Sequence, residues 1–153
     1  MTTTVTSTGP APFTLVLDGA CADPRALGGK GAALDRLIGW GFRVPDTGVV
    51  TAAAYRAVAA LPGPAGLLDR LAAGEACGVD EIDRAFSDVE LPDPLHSEMA
   101  ALGRRIGAGG RLAGSRLAVR SSATVEDLAH SSFAGLYRSV LDVDSTDPDA
   151  VVA

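Results

Sequence analysis

The sequence contains little of what marks several common classes of protein. Only two of its 153 residues are cysteine, Cys21 and Cys77, which excludes a disulfide framework and the paired spacing of a zinc site. Its formal net charge of −6 lacks the basic excess that general nucleic-acid binding requires. Aromatic residues reach only 5% and much of the apolar fraction is alanine, so we expect a thin hydrophobic core.

Long apolar segments are missing as well. The most apolar region, Val49 to Leu61, includes Tyr55 and Arg56 and is too short to span a bilayer. No basic segment followed by an apolar run stands at the N-terminus, so we predict no signal peptide. We therefore expect a cytoplasmic protein whose partners include neither membrane nor nucleic acid. Residues 1–12 are mostly small or polar and are predicted to form a disordered tail.

The rest of the pattern alternates short strands with helices and predicts an α+β fold. The predicted strands cover residues 13–17, 48–51, 116–122 and 136–143. Helices are predicted from Gly28 to about Gly41, over 52–60, around 67–71 and 82–86, from 94 to about 107, and from 149 onward.

Several residues are expected to set the ends of these elements. Thr51 should cap the helix over 52–60, and Pro62-Gly63-Pro64 should end it. Gly41 should end the first helix, and Asp93 should cap the helix that Pro94 begins. In the last strand, alternation is expected to put Tyr137, Ser139, Leu141 and Val143 on one face.

One segment has the composition of an anion site. Gly28-Gly29-Lys30-Gly31 stands at a predicted helix start, where glycines let backbone N–H groups approach a phosphate and a lysine adds a mobile cation. The sequence is not a Walker A loop, because Pro24 stands at the first glycine position and Gly31 follows the lysine. The alternative interpretation is a flexible turn with a solvated lysine.

A second segment, Val119 to Asp127, joins a predicted strand to a loop. Arg120 offers a planar donor fork suited to phosphate, or it pairs with Glu126 or Asp127 at an exposed strand end. Ser121 and Ser122 are either phosphate donors or loop caps. The two acids are either metal ligands or caps of local N–H groups.

The two histidines, His96 and His130, have no catalytic motif around them, and we interpret both as exposed residues. The alternative for His130 is a ligand or a phosphoacceptor.

Three segments follow one another in a fixed order along the chain. They are Gly28 to Leu34 with Gly41 to Pro45 after it, Val49 to Tyr55, and Leu117 to Leu128 with Ser132 to Gly135 after it. Together they resemble the N-terminal part of the nucleotide-binding domain of the phosphoenolpyruvate synthase and pyruvate phosphate dikinase family, a group that includes rifampicin phosphotransferases. The resemblance covers about residues 14–153, and the middle third carries little of it.

The resemblance implies an ATP-grasp-like fold with ATP between two subdomains. It assigns phosphate contacts to Lys30 and Arg120, with Arg120 also stabilising charge in the transition state. It places Gly135 and Ser139 at the nucleotide site. The sequence departs from the family at Leu136, where glutamine is usual.

The resemblance also implies that residues 13–153 form an incomplete ATP-binding domain, truncated at its C-terminus. Magnesium ligands, the phosphorylated histidine of a mobile domain and the final acceptor site, for pyruvate or another substrate such as an antibiotic, are expected outside this sequence. We therefore expect this chain alone to be inactive. The alternatives are a non-catalytic nucleotide-binding or interaction module that complements a partner chain, and a decayed fragment.

Overall fold

The computed structural model of the chain describes residues 11–20, 22–109, 116–122 and 139–152. The elements in chain order are β1 (Thr14–Val16), α1 (Pro24–Gly39), β2 (Gly48–Val50), α2 (Ala52–Ala59), α3 (Pro62–Ala72), α4 (Val79–Ser87), α5 (Asp93–Gly109), β3 (Arg116–Arg120), β4 (Ser139–Asp144) and α6 (Pro148–Val152). This mixture of helices and two separate antiparallel strand pairs confirms the α+β class. The tail predicted for residues 1–12 falls outside the described residues except for its last two.

The first strand pair and α1 share the core. β1 runs antiparallel to β2, with Leu15 opposite Val49. A buried cluster joins these strands to α1 through apolar side chains that are at most 9% exposed: Leu17, Leu27, Ala32 and Val49. Leu34 and Ile38 of α1 are partly buried against the same cluster. Among the described residues, this cluster contains no aromatic side chain.

Helix α1 begins earlier than predicted and is interrupted. The prediction that it starts at Gly28 was wrong, because Asp23 caps a first turn by accepting from Arg25 N, and Pro24 is tolerated in that turn. The backbone then leaves helical geometry at Gly28, with φ 72° and ψ 172°. Gly28 therefore separates a short first turn from the main body of the helix.

The C-terminal end of α1 is where the sequence predicted it. Gly41 has a φ of +81°, its N–H bonds Ile38 O at 2.8 Å, and Phe42 N bonds Leu37 O at 3.0 Å. This pair of bonds is the Schellman arrangement that a glycine after the last turn favours.

The predicted start of α2 is confirmed, whereas the residues predicted to end it also begin α3. The Thr51 side chain accepts from Ala53 N at 3.2 Å, which confirms it as the cap of α2. Pro62 and its neighbours were predicted only to end that helix, but α3 starts at Pro62 itself. Proline has no N–H to leave unpaired and a φ already suited to a helix, so the same residues end one helix and begin the next.

The second strand pair, β3 and β4, contains a β-bulge. Leu117 pairs with Val143, but Val119 pairs with Val140, so β4 carries one more residue than β3 between these pairs. Asp142 lies in the extra stretch and adopts a φ of 65°. The prediction that Val143 shares a face with Ser139 and Leu141 is therefore wrong, because the bulge puts Val143 on the face of Val140. Tyr137, the fourth residue of that prediction, lies outside the described residues.

Helix α5 connects the two strand pairs. It contacts β1, β2, β3 and α6, and its Glu98 carboxylate accepts from Phe13 N at 3.2 Å. Leu95, in its first turn, is only 1% exposed. Among the described residues, no helix combines the length and the apolar character that crossing a bilayer requires.

Candidate functional site

The glycine segment of α1 lies against the end of β3. Lys30 is exposed, follows the break at Gly28 by two residues, and donates from Nζ to the backbone carbonyl of Ser121 at 3.0 Å. The two residues are 91 positions apart in sequence. The fold thus brings together the two segments that the sequence singled out as candidate anion sites.

The hydroxyl of Ser122 makes the second link between these segments. Ser122 Oγ donates to Leu27 O at 3.2 Å and lies 3.4 Å from Gly31 N, which donates to it. The sequence left open a phosphate donor or a cap of the local loop, and the bonds observed for this hydroxyl are not those of a local cap. It is bound to two backbone groups of α1, which lie 95 and 91 positions away in sequence.

Arg120 and Ser139 face each other across the second strand pair. Arg120 ends β3, Ser139 begins β4, and the two are direct partners in the antiparallel register. Both are exposed. Ser121, whose carbonyl group accepts from Lys30, directly follows Arg120 in the sequence. Lys30, Arg120 and Ser139 therefore lie at the same end of the β3–β4 pair.

The remaining candidate residues from the sequence do not add a group to this site among the described residues. Gly135, the fourth predicted nucleotide-site residue, lies outside the described residues, as do Glu126, Asp127 and His130. His96 is on α5 with its Nε2 3.7 Å from a carboxylate oxygen of Asp149, and its side chain is 40% exposed. This contact is an ion pair only when the imidazole is protonated, and it does not adjoin Lys30.

A buried carboxylate that sequence reasoning missed holds the approach to α1. Asp35 is 1% exposed, and its two oxygens accept from Gly19 N at 2.9 Å and from Ala22 N at 3.0 Å. Asp35 follows Leu27 and Gly31 at intervals of four residues, which puts it on the buried face of α1. This spacing is the sequence pattern from which its burial could have been predicted. The carboxylate fixes the loop between β1 and α1, and therefore where the glycine segment starts.

The arrangement can present positive charge to an anion from two elements. Lys30 is the only lysine in the sequence and offers a mobile ammonium, whereas Arg120 offers a planar, permanently charged fork. Among the described residues, no group of three or more His, Cys, Asp or Glu side chains could hold a metal ion. The described residues therefore provide two cationic side chains, and backbone N–H groups near the turn at Gly28, for binding an anion.

Comparison with known proteins agrees with this chemistry. The family model described as pyruvate phosphate dikinase, AMP/ATP-binding domain, matches residues 24–151. The chain is 35% identical over 140 residues to a phosphoenolpyruvate synthase of Neisseria meningitidis, covering 82% of this chain and 17% of that protein. It is 40% identical over 128 residues to a rifampicin phosphotransferase of a Streptomyces species, covering 79% of this chain and 14% of that protein.

A third relative carries a different name. The prodigiosin synthesizing transferase PigC of Serratia marcescens is 35% identical over 125 residues, with 82% of this chain and 13% of that protein covered. The chain spans 13–17% of the length of the curated relatives it matches. No solved structure shows a significant match. Because the family model covers most of the chain, this protein belongs to the family of pyruvate phosphate dikinase AMP/ATP-binding domains.

Proposed function

We propose that this chain is the ATP-binding part of a phosphotransferase of the phosphoenolpyruvate synthase and pyruvate phosphate dikinase type. In this proposal Lys30 and Arg120 bind the phosphates of ATP, and Ser139 and Gly135 line the nucleotide site. The observation that carries the proposal is the hydrogen bond from Lys30 Nζ to Ser121 O, which joins the glycine segment to the residue after Arg120. The match to an AMP/ATP-binding domain family supplies the identity of the anion.

The proposed chemistry is positioning and charge neutralisation. A phosphoryl group leaving ATP carries charge on its oxygens, and fixed cationic donors stabilise that charge without having to reorganise. Lys30 reaches the phosphates from a helix start and Arg120 from a strand end, so the two cations approach from different elements. Arg120 is the residue we assign to stabilising charge in the transition state.

No group of three or more candidate metal ligands occurs among the described residues. We propose that the magnesium ligands of the complete enzyme lie outside this sequence. In the complete enzyme we propose that the phosphoryl group passes to a histidine on a mobile domain and then to pyruvate or another acceptor. The named relatives, which include phosphoenolpyruvate synthases and a rifampicin phosphotransferase, support this range of acceptors.

A direct test uses the fact that Lys30 is the only lysine. Reductive methylation with ¹³C-formaldehyde would label Lys30 and the N-terminal amine, keep the lysine charge, and give an NMR signal that the Lys30→Arg variant identifies by its loss. Titration with ATP should shift the Lys30 signal. Titration calorimetry should show about 10- to 100-fold weaker ATP binding for Lys30→Ala and for Arg120→Ala, the loss of a hydrogen bond to a charged group.

The matched control is Arg104→Ala, which removes an exposed arginine from α5 and should leave ATP affinity unchanged. Unchanged ATP affinity in both Lys30→Ala and Arg120→Ala would remove the site assignment. We also expect the purified 153-residue chain to form no AMP and phosphate from ATP, and detecting these products would contradict that expectation.

A second candidate is a nucleotide-binding module that works only with a partner chain. In this candidate a second chain supplies what the relatives carry outside the 13–17% of their length that this chain spans. Size-exclusion chromatography and co-purification with the product of an adjacent reading frame separate the two. A stable complex that gains ATP turnover would favour the module.

A further inference from the structure

The hydroxyl of Ser122 occupies the place of a missing helical hydrogen bond. In an unbroken α-helix the N–H of residue 31 would bond the carbonyl of residue 27. Here Gly31 N–H points to Ser122 Oγ at 3.4 Å, and that hydroxyl donates to Leu27 O at 3.2 Å. A side chain from β3's end is thus inserted into the hydrogen-bond ladder of α1, which is a known cause of helix kinks.

The backbone at Gly28 fits this insertion closely. Its φ of 72° and ψ of 172° lie in a region that is essentially reserved for glycine. A Cβ at this position would be 2.4 Å from Ser122 Oγ and 2.6 Å from Ser122 O, so no side chain can stand there without movement. Serine suits the opposite side of the contact because one small hydroxyl both donates and accepts.

The insertion determines where Lys30 lies. Lys30 sits between Gly28, which is in contact with Ser122, and Gly31, whose N–H donates to Ser122. Its own Nζ then bonds the carbonyl of Ser121. Without the hydroxyl, Leu27 O and Gly31 N–H are free to bond each other directly, which would continue α1 through Gly28 and turn Lys30 away from the end of β3.

We propose that Ser122 is a positioning residue that holds Lys30 beside Arg120 for the phosphates of ATP. This inference rests on the proposed function, because it gives Ser122 a role only through the lysine. It differs from a direct phosphate contact, since the Ser122 hydroxyl is already engaged by two backbone groups of α1. It also differs from a purely structural role, because its effect on ATP must disappear when the lysine is absent.

The test is a double-mutant cycle on the full chain with ATP as the probe. Ser122→Ala should weaken ATP binding about tenfold, as expected when a pair of backbone hydrogen bonds that fixes a charged group is lost. In the Lys30→Ala background the same change should weaken binding less than about twofold, because residues that act together are not additive. Ser97→Ala, the same substitution at an exposed serine of α5, is the matched control and should change neither value.

A second measurement needs no nucleotide. The ¹³C-methyl signal of Lys30 should shift in Ser122→Ala but not in Ser97→Ala, because only the first change releases the segment that carries the lysine. If Ser122→Ala does not fold, Ser122→Cys keeps a donor and an acceptor on the same side chain while weakening both hydrogen bonds, and should show the same shift and the same loss of affinity.

The outcomes separate this inference from the function on which it rests. Weaker ATP binding in Lys30→Ala, with no change in Ser122→Ala or Ser122→Cys, would overturn the inference and leave the proposed function standing. An equal effect of Ser122→Ala with and without Lys30 would show a purely structural serine and would also overturn it. Failure of the unmodified chain to bind ATP would overturn the proposed function and this role of Ser122 with it.

Discussion

Replacing Gly28 with alanine is the sharpest single test of how the site is built. The substitution adds one methyl group at a position where both the backbone conformation and the space beside it oppose a side chain. The backbone has a φ of 72° and ψ of 172°, and the new Cβ would meet the Ser122 backbone oxygen at 2.6 Å as well as its hydroxyl. Because the oxygen belongs to the backbone, rotation of a side chain cannot relieve that contact.

The expected loss has two parts. A residue other than glycine in this conformation costs about 1–3 kcal/mol. Forcing a methyl group against packed backbone costs about 1–3 kcal/mol more. The sum is roughly 2–6 kcal/mol, a large share of the 5–15 kcal/mol that is typical for folding of a whole domain.

Gly41→Ala provides the matched control. Gly41 has a φ of +81°, similar to that of Gly28, but a Cβ there would meet nothing within 4 Å. It should lose only the backbone part, about 1–2 kcal/mol. Urea unfolding followed by circular dichroism gives both free energies of unfolding. Equal losses in the two variants would refute the reasoning that Ser122 closes the space at Gly28.

Two further predictions concern carboxylates. Asp35→Ala removes the acceptor of Gly19 N and Ala22 N and should lower the free energy of unfolding by about 2–5 kcal/mol. Asp35→Asn keeps one acceptor oxygen and should lower it less. Equal losses of the two variants in urea unfolding would contradict this expectation. Two hydrogen bonds from Thr146 hold the pKa of Asp144 below its ordinary value. The bond from the Thr146 hydroxyl contributes most, and the bond from the Thr146 backbone N–H contributes less. This stabilisation is present above the ordinary pKa and is lost as pH falls through the folded-state pKa. Thr146→Ala should therefore raise the Asp144 pKa in an NMR titration, and an unchanged pKa would exclude the hydroxyl as the cause.

Sequence reasoning was most successful where a structural feature depends on near neighbours. Thr51 as a cap and Gly41 as the end of α1 follow from side-chain oxygens and backbone conformations within a few residues. The helix predicted to start at Pro94 is present, but Asp93 is its first residue and not the cap before it, since His96 N already bonds Pro92 O. Pro62 shows the limit of such signals, since a residue that stops one helix is also well suited to start another.

Features that depend on distant contacts could not be predicted in this way. The bulge at Asp142 changes the face of Val143, and it is visible only from the pairing with β3. Both Ser122 and Asp35 look like ordinary polar residues until the fold shows which backbone groups they bind. The juxtaposition of Lys30 with the end of β3 was expected from the resemblance, and the structure supplies the hydrogen bond that carries it.

The contact between Ser122 and Leu27 also has a consequence for the order of folding. It closes a loop of 95 residues, and bringing such distant groups together costs about 4 kcal/mol of chain entropy by the (3/2)RT ln n relation. The β1–β2 pair and the core that it shares with α1 join residues 14–50 only, so their chain-entropy cost is smaller and they can form while β3 is still separate. A folding intermediate of that kind would contain the whole glycine segment, yet Lys30 would lack its hydrogen bond to the end of β3 until β3 arrives.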